Sequence, residues 1–92
     1  MSTPKLTPDQ AAIAAECDEI KEMLLEKNRL YGSSVLSPLH VFSRSGSEER
    51  IRSRLDDKVS RLARGDPADE DTIKDLIGYL VLLRVAQKRG AA

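Results

Sequence analysis

Three segments of the chain repeat apolar residues every three or four positions, which is the period of an amphipathic α-helix. The first predicted helix covers about residues 8–31. Thr7 and Gln10 have the spacing of a capping box, and Gly32 provides a stop. The stripe that we expect to face the core comprises Ile13, Cys17, Ile20, Leu24 and Tyr31.

The second predicted helix covers about residues 48–64. It starts at Ser47, and Glu48 and Glu49 place negative charge in the first turn, where the helix dipole favours it. Gly65 follows the last turn and is a typical stop. The predicted apolar stripe of this helix comprises Ile51, Leu55, Val59 and Leu62.

The third predicted helix covers about residues 69–88 and is apolar on most of its circumference. Its apolar residues are Ile73, Leu76, Ile77, Leu80, Val81, Leu82, Leu83 and Val85. Two neighbouring helices cannot cover so wide a surface, so we predict a homo-oligomer formed through helix 69–88. The alternative is a terminal helix that is merely apolar and has no such partner.

These elements predict an all-α fold: a three-helix antiparallel bundle in one domain, residues 1–92, that is oligomeric. A long Ser-rich connector, residues 33–47, joins the first two helices. Connections of this length in a small domain are usually functional or mobile.

Composition narrows the function classes. Lys and Arg number 15, as do Asp and Glu, and this balance argues against general duplex DNA binding. No apolar run is long enough for a membrane span, so no membrane association is expected. A single cysteine excludes an internal disulfide, which fits a cytoplasmic location.

A cationic stripe runs beside the apolar stripe of the second helix. Its members lie within roughly 80° of one another on a helical wheel: Arg50, Arg54, Lys58 and Arg61. Such charges repel one another unless an anion neutralises them, and guanidinium groups match phosphate geometry. The alternative partners are acidic side chains of the other two helices, including Asp71 and Asp75, and the sequence does not decide between them.

Lys27 and Tyr31 are four residues apart at the end of the first helix and share a face. A lysine can bind the phosphate of a nucleotide while the tyrosine ring stacks on its base. The alternative is that Tyr31 closes the core and the Lys27 stem extends past it.

Asp71 and Asp75 lie one turn apart at the start of the third helix. Paired carboxylates at this spacing can bind Mg²⁺ through water and substrate phosphates, as in helical nucleoside-triphosphate pyrophosphohydrolases, whose acidic clusters they resemble. The alternative is an ordinary acidic helix start with solvated side chains.

Three blocks follow one another along the chain: Lys27-Asn28-x-x-Tyr31-Gly32, Arg50-Ile51-x-x-x-Leu55-x-x-Lys58-x-x-Arg61-Leu62 and Asp71-Thr72-x-x-Asp75-Leu76-x-Gly78-Tyr79. Their order and spacing resemble the nucleotide-modification-associated domain 1 family, small helical proteins common in bacteriophages and prophages. The resemblance covers about residues 16–83, and Leu30 departs from it because the family usually has an aspartate before the Tyr-Gly pair.

The resemblance implies a role in phage nucleotide metabolism. The matching polar positions are Lys27, Tyr31, Arg50, Lys58, Arg61, Asp71 and Asp75. We therefore predict a phage-type protein of the host cytoplasm that binds a nucleotide or another phosphate-bearing ligand, in nucleotide metabolism or in sequestering a host defence signal. One alternative is a Mg²⁺-dependent nucleoside-triphosphate pyrophosphohydrolase-like enzyme. A second is a phage inhibitor that binds a host protein.

Overall fold

The computed structural model describes residues 5–65 and 71–90, and over these residues all regular structure is α-helical. Helix α1 spans Pro8–Tyr31, α2 spans Ser47–Arg64 and α3 spans Thr72–Arg89. The predicted all-α class with three helices is therefore confirmed for the described ranges. Within them, no helix combines the length and apolar character needed to cross a membrane.

The ends of α1 lie where the sequence predicts them. The backbone N–H of Thr7 donates to Oε1 of Gln10 at 3.0 Å, and the N–H of Gln10 donates to Oγ1 of Thr7 at 3.1 Å. This reciprocal capping box satisfies two donors that would otherwise lack partners. At the other end Gly32 adopts a φ of +69°, a conformation that glycine tolerates best, and its N–H donates to the carbonyl of Asn28.

The start of α2 lies where the sequence predicts it, and the start of α3 lies later in the chain. Ser47 is the first helical residue of α2, and Gly46 occupies its cap position. The third helix begins at Thr72 instead of near position 69, because Asp71 is extended and its carboxylate accepts the N–H of Lys74 at 2.9 Å. Asp66 and Pro67, which follow the predicted stop Gly65, lie outside the described residues. So do Asp69 and Glu70, where the third helix is predicted to begin.

Helix α3 packs against both α1 and α2, whereas no Cα atoms of α1 and α2 approach within 8 Å of each other in the described residues. The start of α2 lies beside the end of α3, where a Cβ on Gly90 would lie 3.4 Å from Oε1 of Glu48. Ile51 of α2 is fully buried, and Ala86 of α3 is nearly so. The α2–α3 pair therefore contains the best-packed part of the core.

The predicted core stripe of α1 is only partly correct. Ile20 is buried and Leu24 is half-buried, but Ile13, Cys17 and Tyr31 are exposed. Helix α1 has 24 residues and α3 has 18, and the ion pairs between them involve α1 at Glu19 and Lys27. The same apolar face therefore continues along α1 beyond the part that α3 covers.

Candidate functional site

A cavity of about 450 Å³ lies where the end of α1, the start of the connector and α3 meet. Its volume is in the range of small-molecule sites. Helix α1 contributes Lys27, Asn28 and Tyr31, among others, and α3 contributes Asp75, Gly78 and Tyr79. Positions from the first and third sequence blocks, which are distant in the chain, therefore line one cavity.

Gly78 allows α1 and α3 to approach each other beside this cavity. It is buried, and a Cβ at this position would lie 2.9 Å from Cε of Met23 and 3.3 Å from Cδ2 of Leu24. Both distances are shorter than an ordinary van der Waals contact, so the crossing fits a residue without a side chain. The conformation of Gly78 is ordinary helix, and space rather than backbone freedom explains the glycine.

The carboxylate of Asp75 is held between two lysines from different helices. Nζ of Lys58 lies 3.3 Å from Oδ2, and Nζ of Lys27 lies 3.7 Å from Oδ1. The side chains of Lys58 and Asp75 are only 13% and 17% exposed, whereas that of Lys27 is 56% exposed. Lys27 is therefore the ammonium of this cluster that can readily contact a bound anion.

A second ion pair fastens α1 to α3. Nζ of Lys74 donates a hydrogen bond to Oε1 of Glu19 at 3.2 Å. Along α1, this ion pair lies before the Met23–Leu24 segment that packs on Gly78. The Lys27–Asp75 pair lies after that segment. These contacts position Lys27 at the cavity.

The cations of the stripe on α2 have different surroundings and do not form one binding surface. Lys58 pairs with Asp75, so the predicted alternative, in which acids of the third helix neutralise the stripe, is confirmed at this position. Arg54 and Arg61 are exposed on α2 and are not among the residues that line the cavity. Their assignment to ligand binding stays a prediction.

Arg50 binds the backbone of the connector. Its Nη2 donates to the carbonyls of Leu39 at 2.9 Å and Ser43 at 3.4 Å, and its Nε donates to that of Ser45 at 3.0 Å. Arg50 therefore ties the connector to the first turn of α2 and is not among the cavity-lining residues. A helical wheel cannot reveal this role, because the carbonyls come from a segment without periodicity.

The two aspartates of the predicted Mg²⁺ site have different partners. Asp71 caps α3 by accepting the N–H of Lys74, and Asp75 contacts Lys27 and Lys58. In the part of the chain that the structure describes, no three His, Cys, Asp or Glu side chains form a group suited to a metal ion. Mg²⁺ binding by Asp71 and Asp75 stays a prediction.

Some cavity residues were not predicted from the sequence as ligand-binding. Nδ2 of Asn28 donates to the carbonyl of Gly32 at 3.3 Å and to Oγ of Ser33 at 3.4 Å, which orders the turn at the cavity edge. Ser34 and Tyr79 also line the cavity. Asn28 and Tyr79 belong to the recognised blocks, but only the contact between α1 and α3 brings them together.

No family model, curated protein or solved structure matches this chain.

Proposed function

We propose that this chain is a nucleotide-binding protein and that the cavity between α1, α3 and the connector is its binding site. One observation carries the proposal: Lys27 and Tyr31 from one block, and Asp75, Gly78 and Tyr79 from another, line the same cavity. These residues of the two blocks are more than 40 positions apart in the chain, so their convergence on one cavity supports a shared role.

The chemistry of the lining suits a ligand that has both a ring and a phosphate. The exposed ammonium of Lys27 can form a charge-assisted hydrogen bond with a phosphate oxygen. Tyr31 and Tyr79 offer aromatic faces for a base, and Leu36 and Leu82 add apolar wall. Such a mixture of apolar surface and few polar groups is typical of small-molecule sites.

We extend the proposal to a phage-type role in nucleotide metabolism or in sequestering a host defence signal, as the resemblance to nucleotide-modification-associated domain 1 proteins implies. Seven matched positions line the cavity: Lys27, Asn28, Tyr31, Gly32, Asp75, Gly78 and Tyr79. Arg50 and Asp71 would support the site indirectly, by fixing the connector and the start of α3.

Replacement of Lys27 by alanine is expected to weaken nucleotide binding by about tenfold, because one charge-assisted hydrogen bond to phosphate is lost. Titration calorimetry with a panel of nucleoside mono-, di- and triphosphates measures the effect. Lys21→Ala is the matched control: Lys21 is an exposed lysine of α1 that pairs with Asp18 and Glu22 and is not among the lining residues.

Two results would contradict this assignment. Equal weakening by Lys21→Ala and Lys27→Ala would indicate a general loss of positive charge rather than a local site. No heat with any nucleotide of the panel would reject the proposed function.

Mg²⁺-dependent hydrolysis of nucleoside triphosphates stays an alternative prediction, with Asp75 as the residue to test. An enzyme of this kind would release pyrophosphate and would lose that activity in Asp75→Asn. Pyrophosphate release measured with Mg²⁺ on wild type and variant separates the two functions, because a binding protein leaves the triphosphate intact.

We also propose that the helices complete an antiparallel bundle inside a homo-oligomer. The exposed face of α3 carries an apolar stripe with helical spacing, formed by Ile73, Ile77, Leu80 and Val81. The same stripe on a second copy is the complementary surface that a two-fold symmetric interface requires. Burial of this stripe would account for the wide apolar surface of α3.

Ile77→Glu is expected to shift the oligomer to monomer, because it would place a charge among the apolar side chains of the interface. Sedimentation velocity over a range of concentrations measures the change. Ser53→Glu adds the same charge at an exposed position of α2 and should leave the oligomer intact. A wild-type chain that is monomeric at every concentration would reject the oligomer.

A host-protein inhibitor is the second candidate function, and the connector favours it. Leu39, Val41 and Phe42 are strongly exposed, although hydrogen bonds to Arg50 order the backbone around them. Exposed apolar residues on an ordered loop are typical of a protein-binding surface. Host-lysate pull-downs with wild type and with a Leu39→Ser, Phe42→Ser double variant test this function, and identical captured proteins would reject it.

A further inference from the structure

We propose that the cavity selects nucleotides with a single phosphate group, and that the carboxylate of Asp75 rejects those with two or three. The inference rests on the proposed nucleotide-binding function and adds the ligand class to it. It follows from the charges that line the cavity and from the way Asp75 is held.

The cavity offers little positive charge to a ligand. Among the described residues that line it, Lys27 carries the one positive charge and Asp75 the one negative charge. The other described lining groups are hydroxyls, one side-chain amide, backbone and apolar side chains. One exposed ammonium can neutralise part of the charge of one phosphate, and each further phosphate adds negative charge without a further lining cation to meet it.

Asp75 has little freedom to move away from the ligand. Its carboxylate is mostly buried and lies within 4 Å of ammonium groups on both α1 and α2, 3.7 Å from Nζ of Lys27 and 3.3 Å from Nζ of Lys58. Lys58 offsets part of this negative charge, but Lys58 does not line the cavity, so a phosphate bound to Lys27 lies nearer to the carboxylate than to the Lys58 ammonium. Burial weakens the screening of the carboxylate by solvent. The net repulsion grows with each phosphate that the ligand adds.

Lys27 can contact both the carboxylate of Asp75 and a ligand phosphate, so we expect affinity to fall stepwise with phosphate number rather than to be lost at once. Its separation from Oδ1 of Asp75 is 3.7 Å, longer than a direct charge-assisted hydrogen bond, and more than half of its side chain is exposed. The Lys27 ammonium can therefore contact a phosphate at the cavity edge and still lie near the Asp75 carboxylate. A single phosphate gains this contact at the smallest cost in repulsion.

The test is calorimetric titration of the full chain with a nucleoside 5′-monophosphate, diphosphate and triphosphate of the same base. For wild type we expect affinity to fall by about tenfold from monophosphate to triphosphate. In Asp75→Asn, which keeps the shape and removes the charge, we expect this ratio to narrow to about threefold or less. Circular dichroism of the variant confirms that it is folded.

A second variant keeps the test decisive if Asp75→Asn fails to fold. Ser34 lines the cavity from the exposed connector, so Ser34→Lys adds a cation there without disturbing a helix. We expect it to raise triphosphate affinity relative to monophosphate by about tenfold. Ser34→Gln, a long side chain without charge, is the matched control and should leave the ratio unchanged.

The outcomes separate this inference from the function on which it rests. Binding in the order monophosphate, diphosphate, triphosphate, with the order weakened in Asp75→Asn, supports both. If Asp75→Asn does not fold, the same support comes from a change in Ser34→Lys that is absent in Ser34→Gln. Triphosphate binding as tight as monophosphate binding in wild type overturns the selection and leaves nucleotide binding standing. A ratio unchanged in folded Asp75→Asn, or in Ser34→Lys where Asp75→Asn does not fold, does the same. No binding of any of the three overturns nucleotide binding itself.

Discussion

Ile51→Ala should lower the free energy of unfolding by about 3 kcal/mol, the largest stability effect we expect from a single side chain of the core. Ile51 is the fully buried large side chain of the described residues, and its removal leaves a cavity between α2 and its neighbours. A chain of 92 residues has a total stability of about 5–14 kcal/mol, so the loss is a substantial fraction. Urea unfolding followed by circular dichroism measures it.

Ile13→Ala is the matched control for this prediction. The same atoms are removed, but Ile13 is exposed on the part of α1 that α3 does not cover. Its expected effect is below about 0.5 kcal/mol, because little apolar surface returns to water and alanine is a strong helix former. Equal losses in the two variants would show that the core does not lie where α2 meets α3.

Gly78→Leu is expected to displace α1 from α3 and to abolish the proposed nucleotide binding while α2 and α3 remain helical. A leucine cannot occupy the space at Gly78, where a Cβ alone would lie 2.9 Å from Cε of Met23 and 3.3 Å from Cδ2 of Leu24. Leucine has a higher helix propensity than glycine, so a loss of α1 packing or of binding would come from the steric clash and not from helix propensity. Calorimetry reports the binding, and amide hydrogen exchange reports the protection of α1.

Gly78→Ala provides the graded comparison. Its methyl group meets the flexible end of Met23, which can turn aside, and the gain in helix propensity of about 1 kcal/mol offsets the tighter contact with Leu24. We therefore expect stability within about 1 kcal/mol of wild type and retained binding. Full nucleotide affinity in Gly78→Leu would contradict the placement of the site between α1 and α3.

The cavity exists only while α1 is packed on α3, and few residues hold α1 there. Ile20 is the buried side chain of α1, and the contacts with α3 centre on Gly78 and on the ion pairs Glu19–Lys74 and Lys27–Asp75. Ion pairs with exposed members contribute little to stability. The packing of α1 on α3 therefore relies on the close approach of the two helices at Gly78. A ligand that contacts both helices would stabilise α1 in place, which couples binding to the local stability of the fold.

Several features could be predicted because their causes are local in the chain. The capping box of Thr7 and Gln10 and the positive φ of Gly32 depend on residues within a few positions, and they set the bounds of α1. The acidic first turn of α2 and the left-handed Gly65 after it follow equally local rules. The start of α3 is less local: three acidic residues stand at positions 69–71, and the extended conformation of Asp71 makes it the cap.

The sequence by itself determined three amphipathic helices, both ends of α1 and the residue types with potential for phosphate chemistry, since hydrophobic period and capping act over one or two turns. Only the tertiary structure decided which faces are covered. It left Ile13 and Tyr31 exposed, directed Lys58 toward Asp75, and assigned Arg50 to the connector carbonyls. Periodicity defines an apolar face but not the helix that packs on it, and the candidate site lies where Gly78 permits two helices to cross.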